Sequence, residues 1–152
     1  MIQSCINDEL WIVSDGGTHN GLGYFGWVIA TSTSVLWEDY GQVPGNAEQM
    51  DSLRAESYGT LAATEFLLQL YQSGKINTKA NIHHFCDNKI VVQRLQLYSS
   101  NKTWFPNELV KAHMDVQLQI ELTLNQQSTT WSTNHVYGHQ DKKSIQEYGK
   151  PS

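Results

Sequence analysis

Three acids stand out for where they sit. Asp15 closes an apolar, strand-type run, "LWIVSD", and Gly16 and Gly17 follow it at once. Glu56 lies one turn ahead of an apolar stripe at helical spacing, Gly59, Ala62, Ala63, Phe66, Leu67 and Leu70. Asp87 closes a second strand-type run, "NIHHFC". Each acid has a plain reading: Asp15 as a turn acid, Glu56 as a helix-dipole partner, Asp87 as a helix cap. The three together invite another. Converging carboxylates repel and raise one another's pKa unless a cation sits among them. Oxygen donors of this kind select Mg²⁺, for which Mn²⁺ can substitute. Such a centre suits phosphoryl transfer in which two metals hold the attacking and leaving oxygens in line.

The surrounding elements must bring these acids to one place. Residues 9–15 predict a strand, and "GGTHNGLG" predicts the turn after it. "GYFGWVIA" and "SVLWEDYGQV" predict a second and a third strand, joined by "TST" as a short hairpin. A helix follows over about 53–72, capped by Asp51 or Ser52. "ANIHHFC" predicts a fourth strand, "NKIVVQRLQLY" a short helix, residues 107–124 a further helix opening near Pro106, and "STTWSTNHVYG" a fifth strand. Three consecutive strands make an antiparallel meander. Strands that alternate with helices run parallel to the first. The predicted fold is α/β, a mixed five-stranded sheet flanked by helices. It sets the ends of strands one and four side by side, with Asp15 and Asp87 on one edge.

Composition narrows the class. A chain of 152 residues suits one domain with a real core. No apolar run is long enough to span a membrane, and "MIQSCINDEL" lacks the pattern of a secretory leader. The two cysteines, Cys5 and Cys86, make neither a disulfide framework nor a zinc spacing. These features predict an intracellular setting, cytoplasm or nucleus. The net charge of −5 argues against binding nucleic acid by bulk charge alone. Residues 1–73 carry nine acids and one base, Arg54, whereas residues 74–152 carry nine bases and six acids.

The order "SDGG … GYFGWVI … SLRAESYGTLAATEFL … HHFCDN … HVYGHQD" resembles the type 1 ribonuclease H domain, in particular the copies carried by retroelement polyproteins. The resemblance covers about residues 10–143. It implies a ribonuclease H-like fold and hydrolysis of the RNA strand of an RNA/DNA hybrid with Mg²⁺, leaving a 5′-phosphate and a 3′-hydroxyl. It also implies a place in a longer reverse-transcriptase polyprotein. Matched by motif, Asp15, Glu56 and Asp87 take the first three metal-binding, catalytic carboxylate positions. His139 takes that of the loop histidine that assists leaving or product release. Gly16 and Gly17 would let a nucleic-acid strand approach the backbone, and Asn88 follows the third acid in the family's manner. Arg54 would hold a phosphate or pair with a neighbouring acid. The family's fourth carboxylate falls at Gly149, and Asp141 belongs to the "HQD" loop. The resemblance thus implies a single domain over 1–152 without the last helix and the fourth acid. That departure opens the alternative of a weak or inactive hybrid-binding domain of the same fold.

Overall fold

The computed structural model describes residues 9–77, 79–99 and 112–136. The first strand, β1, runs from Glu9 to His19. It does not stop at Asp15. Gly16 and Gly17 continue the ladder opposite Phe25 and Tyr24. The turn comes later, at Asn20 and Gly21, whose φ values of 53° and 77° match a two-residue hairpin with both central residues left-handed. The turn expected over "GGTHNGLG" is therefore confined to its Asn-Gly step. Cross-strand pairing overrides the low strand preference of the two earlier glycines.

Strand β2 spans Leu22–Ala30 and β3 spans Val35–Val43, joined by the short connection expected at "TST". Helix α1 runs Ser52–Gln72. Asp51 caps it, accepting the Arg54 N–H at 2.8 Å. Strand β4 covers Asn81–Cys86, helix α2 Lys89–Ser99, helix α3 Met114–Asn125 and strand β5 Thr130–His135. The helix expected from residue 107 is described only from Met114.

The strands lie in the order β3-β2-β1-β4-β5. β1, β2 and β3 pair antiparallel, and β4 and β5 continue the sheet in parallel. Period-2 alternation buries Leu10, Ile12 and Ser14 of β1 and leaves Val13 and Asp15 exposed. Leu10, Ile12, Trp27, Ile29 and Ile82 of the sheet pack with Ala63, Leu67 and Leu70 of α1. A second cluster joins Leu61 and Cys86 to Val91, Val92 and Leu95 of α2 and to Val116, Ile120 and Leu124 of α3. Among the described residues, no helix is long and apolar enough to cross a membrane.

Candidate metal centre at the sheet edge

The centre begins with a backbone contact. A Cβ on Gly16 would stand 2.4 Å from the Ala55 carbonyl carbon and 2.6 Å from the Glu56 nitrogen. Only a residue without a side chain lets β1 meet α1 this closely. Gly16 thus faces the helix, while a Cβ on Gly17 would meet nothing within 4 Å. The close approach delivers Glu56 to Asp15.

Glu56 is 2% exposed. Burial, the charge of Asp15 and a hydrogen bond with Asp15 push its carboxyl up from 4.5 to about 8, against a smaller opposing pull from the Gly16 N–H. The Gly16 N–H also donates to Asp15 Oδ1 at 2.9 Å. On the other side, Cys86 Sγ lies 3.6 Å from Glu56 Oε2 as donor. Asp87 follows at the end of β4, and Glu56, Cys86 and Asp87 each place a ligand atom within 4.8 Å of the others. His135 of β5 steadies this end of the strand, its Nε2 lying 3.0 Å from the Asp87 carbonyl oxygen. The structure therefore brings the three expected acids to one edge.

The donors fit a hard divalent cation. Asp15, Glu56 and Asp87 offer carboxylate oxygens, and a cation would restore the charged form that burial denies Glu56. Cys86 does not compete at neutral pH. Burial and the charge of Glu56 push its thiol up to about 12. Cys86 at this place was not foreseen from the sequence. Its inward position, two residues after His84 on an alternating strand, was the available signal.

The remaining candidates lie elsewhere. Arg54 forks onto Asp115 at the head of α3, at 3.2 and 3.3 Å, and its Nη1 also lies 3.3 Å from His113 Nδ1. This is the ion-pair alternative. Its partner is Asp115, far along the chain. Asn88 caps α2, its Oδ1 accepting the Ile90 and Val91 N–H groups at 3.0 and 3.2 Å. His139 and Asp141, with Gly149 and the expected missing helix, fall outside the described residues.

No family model matches the chain, and no curated protein matches it. Solved structures do. LC11-RNase H1, seen in a complex with an RNA/DNA hybrid, superposes with a TM-score of 0.66 at 16% identity, over 90% of this chain and 91% of its own. The chain has the ribonuclease H fold. RNase H1 from the halophilic archaeon Halobacterium salinarum NRC-1 gives 0.59 at 18% identity, over 84% and 85% of the two chains. The protease-reverse transcriptase of prototype foamy virus gives 0.64 at 18% identity, with 98% of this chain matching 20% of that one. The ribonuclease H fold is thus present here at low sequence identity.

Proposed function

We propose that the chain is a divalent-metal-dependent ribonuclease that hydrolyses the RNA strand of RNA/DNA hybrids. The observation that carries this reading is the convergence of Asp15 within β1, Glu56 in the first turns of α1 and Asp87 just after β4. Its support is the fold shared with ribonucleases H1, one of them seen with an RNA/DNA hybrid, and with a reverse transcriptase.

In this reading the three carboxylates would hold Mg²⁺, or Mn²⁺ in its place, and the bound ions would supply charge stabilisation at the attacking and leaving oxygens. Asp15 lies exposed at the edge and reaches the substrate side. Glu56, neutral without a cation at pH 7, gives up its proton when one binds. Cys86 keeps its proton and orients Glu56 through the thiol. Gly17, open where a side chain would stand, admits the RNA sugar, whose 2′-hydroxyl distinguishes it from DNA. Asn88 sits beside Asp87, while Arg54 is held by Asp115 and braces α1 against α3. By the motif match, His139 would assist departure of the product, and Asp141 follows it in the "HQD" sequence. In the reaction water adds to phosphorus and the bond from phosphorus to the 3′-oxygen breaks. That oxygen takes up a proton, leaving a 3′-hydroxyl and a 5′-phosphate.

The second reading is a hybrid-binding domain with weak or no cleavage. It rests on the sequence match, which puts Gly149 where the family has its fourth carboxylate. A cleavage assay on end-labelled RNA/DNA hybrid with Mg²⁺ and Mn²⁺ separates the two. Cleavage by the parent chain and none by Asp15→Asn supports the enzyme. Hybrid binding with no cleavage in either ion supports the second reading.

A further inference from the structure

A second buried polar group runs beneath the carboxylates. His84 is wholly buried in the middle of β4. Its Nε2 lies 2.7 Å from Ser14 Oγ of β1, and its Nδ1 lies 3.2 Å from Thr133 Oγ1 of β5. On the β5 side, Trp131 Nε1 donates to Thr133 Oγ1 at 2.8 Å. On the α1 side, Ser14 Oγ lies 3.2 Å from Thr60 Oγ1, which donates to the carbonyl of Glu56 at 3.3 Å. These contacts make one line through β5, β4, β1 and α1.

The two ends of the line fix its protons. An indole N–H can only donate and a carbonyl can only accept. Thr133 accepts from Trp131 and gives its own hydrogen to His84 Nδ1. His84 therefore carries its hydrogen on Nε2 and donates to Ser14. Ser14 donates to Thr60, and Thr60 to the Glu56 carbonyl. Every hydroxyl accepts once and donates once. The arrangement takes His84 as a neutral imidazole, the form burial favours by pushing it down to about 3.

The line runs close to all three metal-binding candidates. Ser14 precedes Asp15, Thr60 holds the carbonyl of Glu56, and His84 stands on β4, which Asp87 follows. We infer that His84 is the positioning residue of the metal centre: its two ring nitrogens tie β4 to β1 and β5, and so set the spacing of the three carboxylates. The inference rests on the metal-centre reading. A hydrocarbon side chain could fill the volume, but it would leave Ser14 and Thr133 without their directional partner and β4 without a fixed register at the edge.

The test uses the full chain, Mn²⁺ calorimetry, and melting temperatures without metal. Ser14→Ala and Thr133→Val each cut one link and keep the core filled. Thr64→Val is the control, because that buried hydroxyl bonds only within α1, to the Leu61 carbonyl at 2.8 Å. Both link variants should weaken Mn²⁺ binding by roughly tenfold or more, as loss of outer-shell partners does elsewhere. The control should lose stability and keep its affinity. His84→Phe should weaken binding further, and His84→Gln, which keeps an amide N–H for Ser14, should recover part of it. If the link variants melt earlier yet bind Mn²⁺ as the parent does, His84 is structural only and the inference is wrong. If the parent chain binds no Mn²⁺, the metal-centre reading fails first and the inference falls with it.

Discussion

A Cβ on Gly59 would stand 2.9 Å from the carbonyl oxygen of Asp15. Together with Gly16 against Ala55, this makes a backbone-to-backbone seam between β1 and α1, and Asp15 and Glu56 meet because of it. Gly16→Ala should force the seam apart and cost about 1–3 kcal/mol in urea denaturation. Gly17→Ala, which meets open space, should stay within about 0.5 kcal/mol of the parent. Equal losses at the two positions would show that the seam does not need a glycine.

The pH dependence of stability should carry the signature of Glu56. Its folded carboxyl titrates at about 8, above the ordinary 4.5. Between those values the folded chain holds a proton that the unfolded chain has released, so stability falls as pH rises through the window. Above it the buried charge and its repulsion with Asp15 act in full. Without metal, Glu56→Gln should therefore melt increasingly above the parent from about pH 5 to about pH 9. Parallel curves, or a variant that melts well below the parent at the alkaline end, would make Glu56 a structural partner instead.

Metal binding should run in the opposite sense. Below about pH 8 an arriving cation must displace the Glu56 proton. Mn²⁺ affinity should then rise with pH by up to roughly tenfold per unit before levelling off, with a proton released on binding. Calorimetry in two buffers of different ionisation enthalpy measures that release. Asp15→Asn and Asp87→Asn should abolish binding. Full affinity in both variants would remove the centre.

The pairing of Arg54 with Asp115 can be weighed directly. The guanidinium side chain is 15% exposed and the carboxylate side chain 67%. A double-mutant cycle with Arg54→Met and Asp115→Asn should give a coupling of about 0.5–1 kcal/mol that weakens with salt. Hybrid affinity should change little. A coupling near zero with a clear loss of hybrid affinity would assign the guanidinium to the nucleic acid.

Much of the fold was legible because its signals are local. The apolar runs, the Asp51 cap and the alternation of strands with helices led to the mixed sheet and set Asp15 beside Asp87. Glu56 was visible because it heads an apolar stripe. The misplaced turn at Gly16 and Gly17 came from weighing glycine by preference. Its ladder partners, Phe25 and Tyr24, lie across a hairpin that only the Asn20-Gly21 step announces. The contacts that remained hidden are long in sequence. His84 finds Ser14 at a separation of 70 residues and Thr133 at 49. Arg54 finds Asp115 at 61. No window along the chain contains both members of such a pair.

The strand order carries a consequence in time. The β1–β3 meander joins neighbours along the chain and can form early, but of the three acids it holds only Asp15. β4 must then close a long loop to lie beside β1, and β5 must close another beside β4. Such non-local closures come late and slowly. Asp87 therefore does not join Asp15 and Glu56 until β4 docks, and the early stages of folding escape its charge. A cation that binds only the assembled edge leaves the refolding rate almost unchanged and slows unfolding instead. Divalent ions would govern how long the native chain lasts, while its speed of assembly is set by topology alone.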